Sequence, residues 1–145
     1  MKPEKRITDF LLHHHVLTMA TSISDQPWCA NCFYVYLPEE NLLAFTSEIK
    51  TRHIKEGLQN KKIAGSVVLE TGIIGKIQGI QFLGILGEPP GNLEEVVKKA
   101  YLRRFPVAML METTMWIVQL TYIKMTDNRL GFGKKLIWEA ENPLG

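Results

Sequence analysis

The stretch FTSEIKTRHIKEGLQNKK, Phe45–Lys62, is where a β pattern gives way to a helical one. Leu42–Ser47 reads as a strand that ends in two hydroxyls, Thr46 and Ser47. A helix follows from about Thr51 to Leu58, with Asn60 near its end. Lys50, Thr51, Arg52 and His53 fall where that helix begins. A helix start leaves backbone N–H groups unpaired and carries partial positive charge, so cations are usually disfavoured there. Three potential cations at such a point suggest an anion among them, and phosphate is the natural candidate. Arg52 can grip two phosphate oxygens at once. The competing reading is a solvated basic turn.

Outward from this stretch the chain is mostly strand. Val16–Ile23 alternates, Ser24–Pro27 reads as a turn, and Trp28–Leu37 is rich in aromatics and Val. Pro38–Asn41 closes a hairpin onto Leu42–Ser47. Beyond the helix, Ile63–Glu70 and Ile77–Glu88 are strands joined by the glycine-rich Thr71–Gly75. Met115–Thr126 alternates Trp116, Val118, Leu120 and Tyr122 against the intervening positions, and Phe132–Trp138 is a candidate seventh strand. Ile7, Phe10, Leu11 and His14 share a face of an N-terminal helix over residues 4–14. Asn92–Arg104 reads as a helix capped by Asn92, with Leu93, Val96, Val97, Ala100 and Tyr101 on one face. Residues 107–113 are consistent with one more helical turn. The expected fold is mainly β: an antiparallel split barrel of six or seven strands with short helices, formed by residues 1–145 as one domain.

Composition narrows the function. The chain has 145 residues, 46% hydrophobic and 22% charged, enough for one full core. A net charge of +2, with basic residues dispersed, implies no general nucleic-acid role. Gly72–Gly87 is broken by Lys76, Gln78 and Gln81 and does not read as a membrane span. No signal peptide is evident, and the expected location is the cytoplasm.

Cys29 and Cys32 have redox spacing, but in a strand positions three apart face opposite sides, and zinc would need further ligands. A buried pair of thiols is the expectation. His13, His14 and His15 point in different directions and are expected to answer the dipole of the first helix rather than share a metal. No Rossmann, P-loop or nucleophile-elbow signature is present. Gly79 and Gly84 are expected to mark bends or close approaches, and Trp28, Trp116 and Trp138 to pack cores or interfaces.

The ordered set VLTMAT, PWCANCFYVYL, LAFTS, TRH with Leu58 and Asn60 behind it, and IQGIQFLGIL resembles the pyridoxamine 5'-phosphate oxidase-like FMN-binding split barrels. The resemblance runs from about Val16 to Trp138; with the closing phrase LGFGKKLIW, it points to a small uncharacterised bacterial branch. It implies that Phe45, Thr46 and Ser47 touch the flavin and its ribityl chain, and that Thr51, Arg52 and His53 take its phosphate, with Lys50 as a further cation. It implies that Asn31, Cys32, Phe33, Tyr34 and Val35 line the flavin, joined by Gln78, Gly79 and Gln81. It also implies a homodimer with FMN at the interface, where Lys134 or Trp138 reaches the partner's flavin. His53 stands where the resembled family carries lysine. The family's C-terminal Arg-x-His substrate signature is absent from Met125–Gly145, which argues against pyridoxamine phosphate as substrate.

The expected function is therefore FMN binding, with flavin-dependent oxidoreductase activity on a small molecule or nicotinamide donor. The alternative is a non-catalytic flavin- or haem-binding module, a sensor or carrier. Haem would need an axial ligand, for which His13, His14 and His15 stand ahead of His53.

Overall fold

The computed structural model describes residues 1–111 and 113–142. Seven antiparallel strands form one sheet: β1 (Val16–Ile23), β2 (Gln26–Leu37), β3 (Leu42–Ser47), β4 (Lys62–Val68), β5 (Gln78–Gly87), β6 (Thr114–Asp127) and β7 (Lys135–Glu139). Three helices accompany them: α1 (Lys5–His13), α2 (Arg52–Gln59) and α3 (Glu94–Arg104). The sheet order is β3-β2-β1-β4-β5-β6-β7, and β3 also pairs with β6. That last pairing closes six strands into a ring.

The split lies along β6. Its first half, Thr114–Gln119, pairs with β3, and its second half, Tyr122–Thr126, pairs with β7. Two strands thus share one edge of a long strand, and β7 leaves the ring. The expected mainly β split barrel is the fold observed.

Local sequence explains most elements. Ser24 and Asp25 both have positive φ, 50° and 63°, and form a two-residue hairpin turn that matches strand twist. The reversal is complete in two residues, so Gln26 and Pro27, expected in the turn, already belong to β2. Pro27 is tolerated because Gln26–Phe33 pairs with β1 and not with β3, which binds only Tyr34–Leu37.

In β6 the expected face changes midway. Leu83 pairs with Tyr122 but Gly84 with Leu120, so Thr121 is an extra residue. Trp116, Val118 and Leu120 face the core before the bulge; Ile123 and Met125 do so after it, and Tyr122 turns away. Gly84 stands opposite this bulge, where an added Cβ would lie 2.4 Å from Val118 Cγ1 and 2.8 Å from Gln119 O. Gly79 meets only ordinary contacts and marks no bend.

The barrel interior holds Leu17, Met19, Tyr34, Phe45, Ile80, Phe82 and Trp116, together with Ile7, Phe10 and Leu11 of α1 and Ile54 of α2. A second core packs Val97 and Tyr101 of α3 against Val35, Leu42, Ala44 and Ile117 on the barrel's outside. α3 starts at Glu94 with Leu93 at the cap and no side-chain capping bond, so the expected Asn92 cap is replaced. Val96 is exposed because it lies off the Leu93, Val97, Ala100 and Tyr101 stripe that packs on the barrel. The expected helical turn after it is a 3₁₀ turn, Pro106–Leu110.

α2 sits close to the barrel through Gly57, where a Cβ would meet Leu86 Cδ2 at 2.2 Å. Asn60 then ties the helix end to β1, donating to Ser22 O at 3.0 Å. Among the described residues, no helix is long and apolar enough to cross a membrane.

Candidate functional site

The end of β3 and the start of α2 bring hydroxyl and imidazole groups together, with Arg52 between Thr51 and His53 in the chain. Phe45 is fully buried and anchors the strand. Thr46 exchanges a hydrogen bond with the Tyr101 hydroxyl at 3.2 Å. Ser47 is held by its carbonyl, which accepts from Trp116 Nε1 at 2.9 Å, so its side chain is free to face α2.

Thr51 occupies the N-cap position in extended conformation, yet its hydroxyl donates back to Glu48 O at 2.8 Å. No side chain caps the first turn of α2, whose N–H groups have no intrahelical partner. Beside that turn, Ser47 Oγ lies 2.8 Å from His53 Nε2 and 3.3 Å from Thr51 Oγ1. Thr51 Oγ1 is 3.5 Å from the same nitrogen. Burial pushes the His53 pKa below its ordinary value.

Arg52 is half-exposed. Its Nε donates to Glu56 Oε2 at 3.1 Å, and its guanidinium lies 4.1 Å from the centre of the Trp28 ring. Trp28 thus orients a cation at the helix start instead of filling a core, a role its aromatic type alone did not signal. Lys50 pairs with Glu48 at 3.2 Å and is turned to solvent. Glu48, Ile49, Lys50 and Thr114 line a shallow pocket of about 380 Å³ beside Ser47. Hydroxyls, an imidazole, a guanidinium and uncapped N–H groups make a donor set suited to a phosphate.

The other expected site residues do not join this cluster within one chain. Tyr34 is fully buried, its hydroxyl donating to Leu11 O at 2.8 Å, and Val35 belongs to the second core. Cys32 is partly buried, its thiol pushed up to about 11, whereas Cys29 is exposed on the opposite face; the expected buried pair of thiols is not found. Phe33 is exposed and packs against Phe105.

Asn31 and Gln81 lie on the barrel's outer face in one register row, Asn31–Thr18–Ser66–Gln81–Lys124. The next row is Cys29–Ala20–Ala64–Leu83–Tyr122, and its small side chains floor two adjoining hollows of about 390 and 540 Å³. Gln78 and Gly79 pair with Asp127 and Thr126, at the end of β6 remote from Thr114 and Ser47, roughly 40 Å along the strand at 3.3 Å per residue. Lys134 is at that end too, whereas Trp138 pairs with Ile123 midway along β6 and its Nε1 donates to Met1 O at 2.7 Å.

The histidines lie elsewhere again. His13 and His14 border an open cleft of about 610 Å³ with Phe10, Gln78 and Met125. His13 is in the last turn of α1, but it is Arg104 of α3 that donates to Leu12 O and His14 O and satisfies the helix end. Among the described residues, no group of three His, Cys, Asp or Glu side chains is placed to hold a metal.

Fold and site together define a split β-barrel with a polar helix start at one end. No protein-family model matches the chain. It is 42% identical over 130 residues to a UPF0306 protein of Photorhabdus laumondii, covering 90% of this chain and 91% of the relative. It is 41% identical over 138 residues to one of Yersinia pseudotuberculosis, covering 95% and 94%. The chain belongs to the UPF0306 family.

Three solved structures share the fold at low identity. A haem-binding protein of Mycobacterium smegmatis matches with TM-score 0.77 and 14% identity over 96% of this chain, which spans 59% of that structure. An FAD-binding protein of Mesorhizobium loti matches with TM-score 0.69 and 14% identity, covering 83% and 91%. HutZ, the haem storage protein of Vibrio cholerae, matches with TM-score 0.65 and 16% identity, also covering 83% and 91%.

Proposed function

We propose that this chain is a prosthetic-group-binding split barrel whose ligand is FMN, anchored by its phosphate at the start of α2. The observation that carries the reading is the Ser47–Thr51–His53 cluster beside an uncapped helix turn, with Arg52 held over Trp28. Solved structures of the same fold include an FAD-binding protein and haem-binding proteins, which supports a planar ligand on this scaffold.

In this reading Ser47, Thr51, Arg52 and His53 hold the phosphate, Lys50 adds a cation from the exposed turn, and Thr46 meets the ribityl chain. Phe45, Tyr34 and Val35 contribute backbone, since their side chains are buried. The rest of the expected set, including Gln78, Gly79, Lys134 and Trp138, comes from a second copy: the protein is a homodimer with the ligand at the interface. The outer-face hollows floored by Ala20, Ala64 and Leu83 support an apolar partner surface.

A bound flavin supplies electron or hydride transfer, and the protein supplies position and electrostatics. Binding is the primary function; oxidation of a nicotinamide or small molecule is the finer claim. Saturable quenching of FMN fluorescence by the purified protein is the expected result, with a dimer by light scattering. A protein that takes up no FMN refutes the reading. Bleaching of the bound flavin by NADH or NADPH tests turnover.

The second reading is a haem module using the cleft at α1. His14 is the observation in its favour: burial first, then repulsion from His13, His15 and Arg104, lowers its pKa and keeps the imidazole in its ligand form. A Soret band on haem titration, lost in His14→Ala, would select it over FMN.

A further inference from the structure

The way His53 is held bears on what kind of phosphate the helix start can take. The ring has no carboxylate partner among the described residues; its neighbours are the hydroxyls of Ser47 and Thr51. In its own turn, Glu48 pairs with Lys50, and Arg52 with Glu56. The elements packed against α2 add no charge: β1 and β5 carry no ionisable side chain, and β2 carries only Cys29, Cys32, Tyr34 and Tyr36. Cys32 and both tyrosines are pushed towards their neutral forms by burial.

Burial alone lowers the His53 pKa, so the free site holds a neutral imidazole that shares a hydrogen bond with the Ser47 hydroxyl. A dianion placed among these groups reverses the balance, because a nearby negative charge favours the imidazolium.

We propose that His53 makes this site a proton-linked receptor for a phosphate monoester, taking up one proton as the dianion binds and favouring a terminal phosphate over a phosphate diester. The inference rests on the FMN reading above and concerns the control of the same site. A monoester carries close to two charges at neutral pH, whereas each phosphate of a dinucleotide flavin carries one and has no second ionisation. The diester therefore gives His53 less reason to protonate.

The sign follows directly. Free His53 is neutral above its lowered pKa, and bound His53 stays protonated until its raised pKa is passed. Between the two values affinity falls as pH rises, by up to about tenfold per pH unit. FMN itself is fully dianionic above about pH 7, so its own ionisation does not produce this loss.

The test is a fluorescence titration with FMN, FAD and riboflavin at pH 6.5, 7.5 and 8.5 and constant ionic strength, on the wild type, His53→Lys and His53→Gln. For the wild type, FMN affinity should fall about tenfold or more from pH 6.5 to 8.5. FAD should respond less and riboflavin not at all. His53→Lys should bind FMN evenly across the range, and His53→Gln should bind evenly but more weakly at pH 6.5. In a parallel NMR titration, the imidazole resonance missing from His53→Gln should move to a higher pKa when FMN is added. FMN affinity independent of pH in the wild type, or an unmoved resonance, overturns this inference and leaves the FMN reading standing. No FMN binding at any pH overturns both.

Discussion

Two polar clusters at opposite ends of β6 use the same kinds of side chain to different ends. At the far end, Asp127 is fully buried and accepts from Arg129 Nε and Nη2 at 3.0 and 2.9 Å and from Arg6 at 3.2 Å. Both cations share this one carboxylate, which ties α1 and the turn after β6 to the barrel. Hydrogen bonds from Arg129 hold its carboxyl below the usual carboxylate range, against an opposing effect of burial. At the near end, Ser47, Thr51 and His53 satisfy one another with neutral hydrogen bonds, and the cations beside them are at least half-exposed, Lys50 paired with Glu48 and Arg52 with Glu56 and the Trp28 ring. In the first cluster both carboxylate oxygens are fully engaged by donors of the chain itself. The second retains donors that an outside anion can use, and that difference separates a structural knot from a candidate site.

The largest effect should come from breaking the knot. Asp127→Asn should cost about 3 kcal/mol, because the negative charge between two arginines is lost and an NH2 group replaces one of the two accepting oxygens, read by urea unfolding. Asp127 is more acidic in the folded protein than in the unfolded chain. Its contribution is therefore complete above the ordinary carboxylate range and lost as pH falls through its depressed folded value. Wild-type stability should drop on this acid limb, and the Asn variant should show a flatter one.

At the near end, Arg52→Ala should weaken FMN binding by about tenfold or more, since one charge-assisted phosphate contact is worth over about 1.5 kcal/mol. Stability should fall by about 1 to 2 kcal/mol, because Arg52 is half-exposed but its removal leaves the largely buried Glu56 carboxylate without its partner. Loss of stability without loss of affinity would make this cluster another structural knot. Ser47→Ala should cost a few-fold in FMN affinity, on the order of 1 kcal/mol for a neutral hydrogen bond, and should alter the His53 titration by NMR. Lys50→Ala should move affinity least, within about twofold at moderate salt, because Lys50 is solvent-exposed and already paired with Glu48.

Much of the fold was legible in the sequence because strands and helices announce themselves by local period. Val16–Ile23, from its alternation, and Leu42–Ser47, from its apolar run, have the boundaries the sequence predicts, and α2 begins one residue after the expected Thr51. The misreadings are of local geometry. The β6 face reverses at Thr121, where β5 meets it through Gly84, and α3 starts late, after a turn in which Leu93 N–H bonds to Pro90 O. The hydroxyl, arginine and histidine of the helix start were legible as a group, since they are neighbours in the chain. Trp28 beneath Arg52 was not, because it comes from another strand.

The sequence by itself determined the element order, six strands with a seventh as candidate, and a helix start crowded with anion-binding side chains, since each is encoded within a few residues. Only the tertiary structure decided that β3 and β7 share the edge of β6, that Asp127 bridges Arg6 and Arg129, and that Ser47 turns to His53. Those outcomes join residues distant in the chain or fix side-chain directions, and they depend on ring closure, burial and charge compensation in space.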